Sequence, residues 1–306
     1  MDASVKLAQA GEKFGYMRFW IAEHHDLPGI ASSVPEVMLG YIGAQTTQIR
    51  IGSGALLLPH YKPYKVAEIF NMLATLFPGR IDIGLGRAPG GSAEVTNALN
   101  DNFLQKVYAY PELVEELVRF VNNEDDKLRA APIPETPPMP WILGTSKKSA
   151  LLAAKNGLAY AFGQFMSDAD GPAIIQAYRD AFQSGPTGQQ PQVLLTVSAI
   201  CAETAAKAEE IATSSLIWKL QTANGGGEYV PSIEEAKSYV LEEKDKEKLE
   251  KMKRGMIIGE PNHVVRKLEQ LQEQYHADEI MILTITHSHA DKIHSYKLIA
   301  EEMNRR

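Results

Sequence analysis

The sequence predicts an α/β fold whose parallel sheet closes into a TIM-type (β/α)8 barrel. Short apolar runs alternate with helical patterns almost from end to end, the order that joins parallel strands through crossover helices. An open doubly wound sheet would share that order, but no glycine fingerprint opens the first βα unit as a dinucleotide fold requires. The 306 residues, 44% of them hydrophobic, supply the core of one barrel with insertions, although the length alone would also divide into two domains.

The chain begins in a helical pattern, with Val5, Leu7, Ala8 and Ala10 ahead of Gly11. Seven strands follow, at 18–23, 49–58, 81–87, 141–145, 160–165, 193–201 and 279–286. Because no strand precedes the first helix, an eighth is expected upstream of Met1, missing from this chain. Helices between the strands show core faces at three- and four-residue spacing. Val66, Ile69, Phe70, Leu73 and Leu76 form one such face, and Val114, Leu117, Val118 and Val121 another. The Pro-rich stretch 131–140 is expected to run as an extended connector. An insertion before the last strand, about 216–255, carries Gly225-Gly226-Gly227 and then the charged run 242–254. It is expected to be a mobile loop followed by a solvated helix, or a lid over the barrel mouth. Residues 1–306 are expected to form a single domain with this insertion.

Composition narrows the function classes. Thirty-one basic against 38 acidic residues give a net charge of −7, so no general attraction to nucleic acid or anionic membrane is expected. The single cysteine, Cys201, makes no intrachain disulfide and lies in an apolar stretch, where a buried, inert thiol in a reducing cytoplasm is expected. The N-terminus lacks the layout of a signal peptide, and no run approaches the roughly 18 apolar residues of a membrane helix.

Four clusters could carry chemistry. Glu23-His24-His25 falls at the C-terminal end of the first strand, the active-site face of a parallel barrel. Adjacent strand residues point to opposite faces, so one histidine is expected to face substrate and the other to be structural. No zinc-type spacing accompanies them. Gly52 with Gly54, and Gly84 with Gly86, share faces of consecutive strands, through barrel packing or because a flat ligand approaches the backbone. Arg87 at the third strand's end suits an anionic ligand or a surface ion pair. In Gly144-Thr145-Ser146-Lys147-Lys148-Ser149 a strand turns into a helix, a natural phosphate cradle or a simple N-cap. His287, His289 and His294, after the last strand, are expected at the rim of the mouth.

Together these letters resemble the bacterial luciferase-like, flavin-dependent monooxygenases. The resemblance rests on four ordered motifs: 19–25 (Phe-Trp-Ile-Ala-Glu-His-His); Ile51-Gly52-Ser53-Gly54 with Leu58-Pro59-His60; 77–82 (Phe-Pro-Gly-Arg-Ile-Asp) through Gly86-Arg87-Ala88-Pro89-Gly90; and Leu143-Gly144-Thr145-Ser146. It covers nearly the whole chain. It implies a barrel, commonly dimeric, that takes reduced FMN, often from a separate reductase, and uses molecular oxygen to oxidise a small organic substrate. Carried over, His24 matches a histidine near flavin and substrate. Gly54 and Ala55 match a pair whose cis peptide bond supports the isoalloxazine. Arg87 matches an arginine beside the flavin and its phosphate, and Thr145, Ser146 and Ser149 match phosphate contacts. Gly86 stands where bioluminescent members carry a bulkier residue, so light emission is not implied. The expected function is thus a flavin-dependent monooxygenase. The alternatives are a deazaflavin-dependent hydride transferase and a non-catalytic flavin-binding protein on the same fold.

Overall fold

Eight strands, every pair of them parallel, form the sheet in a computed structural model that describes residues 2–30, 32–185 and 188–306. They are β1 (Arg18–Ile21), β2 (Arg50–Leu57), β3 (Ile81–Gly86), β4 (Met139–Gly144), β5 (Ala159–Gly163), β6 (Val193–Cys201), β7 (Met256–Gly259) and β8 (Glu279–Leu283). The helices, in chain order, are α1 (Asp2–Phe14), α2 (Pro35–Gly43), α3 (Pro63–Leu76), α4 (Ala93–Leu99), α5 (Phe103–Tyr108), α6 (Tyr110–Val121) and α7 (Lys147–Lys155). They continue with α8 (Gly171–Ala181), α9 (Ala205–Ala223), α10 (Ile233–Ser238), α11 (Glu243–Arg254), α12 (Pro261–Tyr275) and α13 (His289–Met303).

The two-residue period of the strands sorts the core into an inside and an outside. Ile51, Ile81, Ile83, Tyr160, Phe162, Leu195 and Val197 face outward into the layer shared with the helices. Trp20, Trp141, Leu143, Ala159, Ala161, Leu194 and Met281 pack against one another inside. This is the filled interior of a TIM-type barrel. Its N-terminal end is closed by charge: Asp82, fully buried, accepts bonds from Arg18 Nη1 (2.7 Å), Trp20 Nε1 (3.0 Å) and Arg50 Nε and Nη2 (3.1 and 2.5 Å).

Consecutive strands pair from β1 to β6, and β8 and β7 then take adjoining stretches of β6 that meet at Ser198. Among the described residues β1 and β8 are not paired with each other. Both strands are correspondingly half-exposed, whereas every residue of β3 is buried. The gap between them is bridged by Arg18 Nε donating to Glu279 (2.7 Å) and by the edge-on Tyr16 and Tyr296 rings, 5.6 Å apart, which join the turn after α1 to α13.

Two expectations are corrected at and beside the insertion. A strand that was not expected, β7, follows directly after it and makes eight strands in this chain where seven were expected; Met-Ile-Ile-Gly is too short to stand out after thirteen polar-dominated residues. The expected loop from 216 is largely helical, because α9, capped by Thr204, runs on to Ala223 and α10 follows behind the Ser232–Glu235 capping box. α11 is the solvated helix expected, with Asp245 its buried residue. A small apolar cluster at the base of the insertion joins Ile211, Ala212 and Leu216 of α9 to Ile200 and Met256, with Ile233, Leu249 and Met252 packed against it. Cys201 is buried and burial pushes its thiol pKa up to about 12, so it stays protonated and inert at neutral pH.

Candidate functional site

Parallel strands bring their C-terminal ends to one mouth; His24, Arg87, Thr145, Ser146 and Ser149 follow the ends of β1, β3 and β4, Gly54, Ala55 and Gly86 lie in the C-terminal halves of β2 and β3, and Gly52 lies toward the opposite end. Direct contacts link successive strand ends. Glu23, just past β1 and 2% exposed, accepts from the Leu57 N–H of β2 (2.8 Å) and from the Tyr61 hydroxyl (2.7 Å). The Ser53 hydroxyl of β2 donates to the Gly84 carbonyl of β3 (3.0 Å). The His25 N–H donates to the Gly90 carbonyl beyond β3 (2.9 Å).

The two histidines differ in role although both lie beyond the end of β1. His25 is buried, with Nε2 2.9 Å from the Glu23 carboxylate and its ring edge-on to His60. It is a structural group of the β1–β3 junction. His24 is half-buried, and its imidazole pKa is lowered by burial first and by neighbouring His25 second, against a smaller opposing effect of the Gly90 backbone. The ring is therefore neutral at pH 7, a proton acceptor rather than a cation.

The glycines separate into two pairs. A Cβ on Gly52 would lie 2.7 Å from Asp82 Cβ and 2.8 Å from Trp20 Nε1, and one on Gly84 would collide with the Ser53 carbonyl. Barrel packing accounts for both. Gly54 and Gly86 lie nearer the mouth: a Cβ at Gly54 would meet the side of Trp20 at 3.1 Å, and one at Gly86 would meet Ala55 Cβ at 2.9 Å. The Gly54–Ala55 peptide bond is cis, and the pairing of β2 with β3 shifts register between Ser53 and Leu56. Gly54, Ala55 and Gly86 thus form a small-residue edge above Trp20.

Arg87 follows β3 and is exposed, and it forms no ion pair or hydrogen bond among the described residues, which removes the surface-pair reading. At the start of α7, Ser146 and Ser149 form a reciprocal capping box. Ser146 Oγ accepts from the Ser149 N–H (3.4 Å), and the Ser149 hydroxyl donates to the Ser146 carbonyl (2.7 Å) beside the Tyr160 hydroxyl (3.1 Å). Ser149 is thereby committed inside the turn. Thr145 and Ser146 are half-exposed, and the Lys147 and Lys148 N–H groups have no intrahelical acceptor at this end. Thr145 packs toward Gly163, so this turn adjoins the end of β5.

Sequence reasoning missed two contributors. Trp20 and Trp141, rings 5.5 Å apart, floor the interior, and the Trp141 Nε1 and Ser198 Oγ atoms are buried without partners among the described residues. Segment 228–231 of the insertion, for which a lid over the mouth was one expectation, ties the loop after β1 to the one after β8: Glu228 accepts from the Gly29 N–H (3.0 Å) and Val230 bonds His287 Nδ1 (2.9 Å). The rim histidines do not assemble, since His294 pairs with Glu203 and His287 with that segment.

Comparison with known proteins bears on this geometry. A family model described as luciferase-like monooxygenase matches residues 1–277. N-acetyl-S-alkylcysteine monooxygenase of Bacillus subtilis is 36% identical, over 98% of this chain and 92% of that protein. The crystal structure of apo-MsnO8 is 30% identical with a TM-score of 0.91, covering 99% of this chain and 92% of the other. At the level of fold alone, the oxygenating constituent of 3,6-diketocamphane monooxygenase from Pseudomonas putida, in complex with FMN, aligns with a TM-score of 0.69 at 17% identity over 98% and 91% of the two chains. An F420-dependent secondary alcohol dehydrogenase aligns with a TM-score of 0.68 at 14% over 97% and 93%.

Proposed function

This chain belongs to the luciferase-like monooxygenase family and is an oxidoreductase, and we propose that it is an FMN-dependent monooxygenase acting on a small organic substrate. The carrying observation is the free guanidinium of Arg87 at the same barrel mouth as the Gly54–Ala55–Gly86 edge and the neutral His24. The residues present suit the cofactor. The small-residue edge leaves the backbone accessible to a planar ring, and the donors at Arg87 and at the turn before α7 suit a dianionic phosphate. Reduced FMN supplies two electrons to molecular oxygen, one atom of which enters the substrate while the other leaves as water.

The chain's own residues bind, orient and exclude water. Arg87, Thr145 and Ser146 hold the phosphate, with Ser149 fixing the turn from below. Gly54 and Ala55 let the ring lie against the backbone. Trp20 and Trp141 keep the floor apolar. His24, neutral at pH 7, accepts a proton at its free ring nitrogen during turnover. Fluorescence titration with oxidised and reduced FMN, followed by oxygen-consumption assays, tests this reading; absence of binding of either form at millimolar concentration ends it. A His24→Ala variant that binds FMN as the parent does and loses turnover supports catalysis, and unchanged turnover assigns His24 to structure. The second reading, a deazaflavin-dependent hydride transferase, predicts turnover without oxygen.

The reduced flavin comes from a separate reductase in this proposal, and the compartment is the cytoplasm, in keeping with one buried thiol; no described helix is long and apolar enough to cross a membrane. A homodimer is supported by α2 and α3, which leave Val37, Tyr41, Met72 and Leu76 between 47% and 67% exposed on adjacent helices. Apolar side chains exposed so fully at one place mark an association surface.

A further inference from the structure

The roof of the mouth carries a cation that the flavin reading leaves unused. β6 alternates between two layers: Val193, Leu195, Val197, Ala199 and Cys201 join the outer core, so Leu194, Ser198 and Ile200 turn inward. Ile200, at the mouth end, is covered by Ala208, Ile211, Ala212 and Leu216 of α9. The underside of α9 therefore lies over the barrel opening. The helix is 19 residues long, about 28 Å, and the chain beyond it reaches the loop after β1 through Glu228 and the loop after β8 through Val230. α9 thus crosses the mouth from the end of β6 toward β8 and β1.

Helical spacing follows that underside residue by residue. Ala208, Ala212 and Ser215 are each fully buried, and the next residue on their line is Lys219. The other side of the helix carries Glu209 and Glu210, which pair with Lys253 of α11 and with Lys207 and Lys237. Lys219 has no such partner. It is half-buried and forms no ion pair or hydrogen bond among the described residues, and the Ser215 hydroxyl one turn away is turned back onto the Ala212 carbonyl (3.0 Å). Burial alone, with no neighbouring charge acting on it, holds its ammonium pKa below the ordinary lysine value. Its Nζ is nevertheless not sealed off, unlike the unpartnered Trp141 Nε1 and Ser198 Oγ. An accessible cation held partly out of water without a counter-charge is set to take an anion from solution.

We propose that the substrate is an organic monocarboxylate with an apolar body, and that the Lys219 ammonium on the underside of α9 binds its carboxylate. The inference rests on the reading of the mouth as the substrate-oxidising site. The head group carries one charge because one free ammonium faces it from the roof; Arg87, at the end of β3, is assigned to the flavin phosphate. The body is apolar because the interior below presents Trp20, Trp141, Leu143 and Ala161. Lys219 is a binding residue in this proposal, and it takes no part in proton transfer.

Isothermal titration calorimetry of the full chain with sodium hexanoate, alone and with FMN present, tests it, with 1-hexanol and hexylammonium chloride as probes of equal length. The expected result is saturable binding of one hexanoate per chain, hexanol at least about tenfold weaker, and no hexylammonium binding. Lys219→Met replaces the ammonium by an apolar chain of similar length. Its urea midpoint is expected to hold or rise, its hexanoate affinity to fall about tenfold, and its hexanol and FMN affinities to stay as in the parent. Lys219→Arg keeps the charge and is expected to keep the preference for hexanoate over hexanol. No saturable hexanoate heat up to about 20 mM, hexanoate bound no more tightly than hexanol, or undiminished hexanoate binding by Lys219→Met overturns the proposal. A fall in FMN affinity in Lys219→Met assigns the ammonium to the flavin and overturns it as well. The two readings fail separately, since a chain that takes hexanoate and no FMN ends the flavin reading alone.

Discussion

Arg87→Ala separates ligand binding from folding more cleanly than any other change at the mouth. The side chain is exposed and has no internal partner among the described residues, so its removal costs less than about 0.5 kcal/mol of stability. A charge-assisted bond to a phosphate is worth about 1.5–3 kcal/mol, and since each 1.4 kcal/mol is tenfold, FMN affinity should fall about 10- to 150-fold. The lower half of that span is expected here, because the guanidinium is open to solvent and screened by salt with a Debye length of about 10 Å at 0.1 M. Riboflavin has the same ring and no phosphate. Flavin fluorescence titrations of the parent and Arg87→Ala with FMN and with riboflavin form a cycle in which the loss appears for FMN alone. Equal losses for both flavins, or no loss for FMN, would refute the assignment of Arg87 to the phosphate.

Three further outcomes follow from the same geometry. Asp82→Asn leaves Arg18 and Arg50 facing a neutral group in a buried setting, so urea denaturation should show a loss of about 3 kcal/mol. For His24 the folded pKa lies below the ordinary 6.5, so the unfolded chain takes up a proton that the folded chain resists. Its contribution to stability is complete above pH 6.5 and is lost as pH falls through the folded value; denaturation at pH 7.5 and 5.5 should show a smaller drop for His24→Gln than for the parent. Tyr41→Glu places a charge on the exposed face of α2, and light scattering should then give the 33.7 kDa mass of one chain where the parent gives twice that.

Much of this architecture was legible because strand residues alternate between two apolar layers and helices leave a three-to-four spacing. Val193–Cys201 stands where it was expected, being a nine-residue apolar run with no competing signal. Other strands end one to three residues early at the mouth; after β1 the chain leaves the ladder where Glu23 accepts from the Leu57 N–H and the Tyr61 hydroxyl. β7 escaped notice because four residues cannot establish a period. The glycine pairs illustrate the limit of spacing: all four looked alike in sequence, and only contacts with Asp82 and Ser53 distinguish the packing pair from the pair at the mouth. Likewise, the capping box that commits Ser149 inward depends on hydroxyl directions that the letters Ser-Lys-Lys-Ser do not contain. That the two histidines would differ was foreseeable, but β1 ends at Ile21, so the division comes from Glu23 engaging His25 and not from strand alternation.

A crystal structure of the protein with FMN tests the proposed cofactor site most directly. The phosphate is expected against the Arg87 guanidinium and the Thr145–Ser146 turn, with the isoalloxazine lying on Gly54 and Ala55 and His24 at its edge. Density for the flavin elsewhere, or a phosphate that touches neither Arg87 nor that turn, would contradict it.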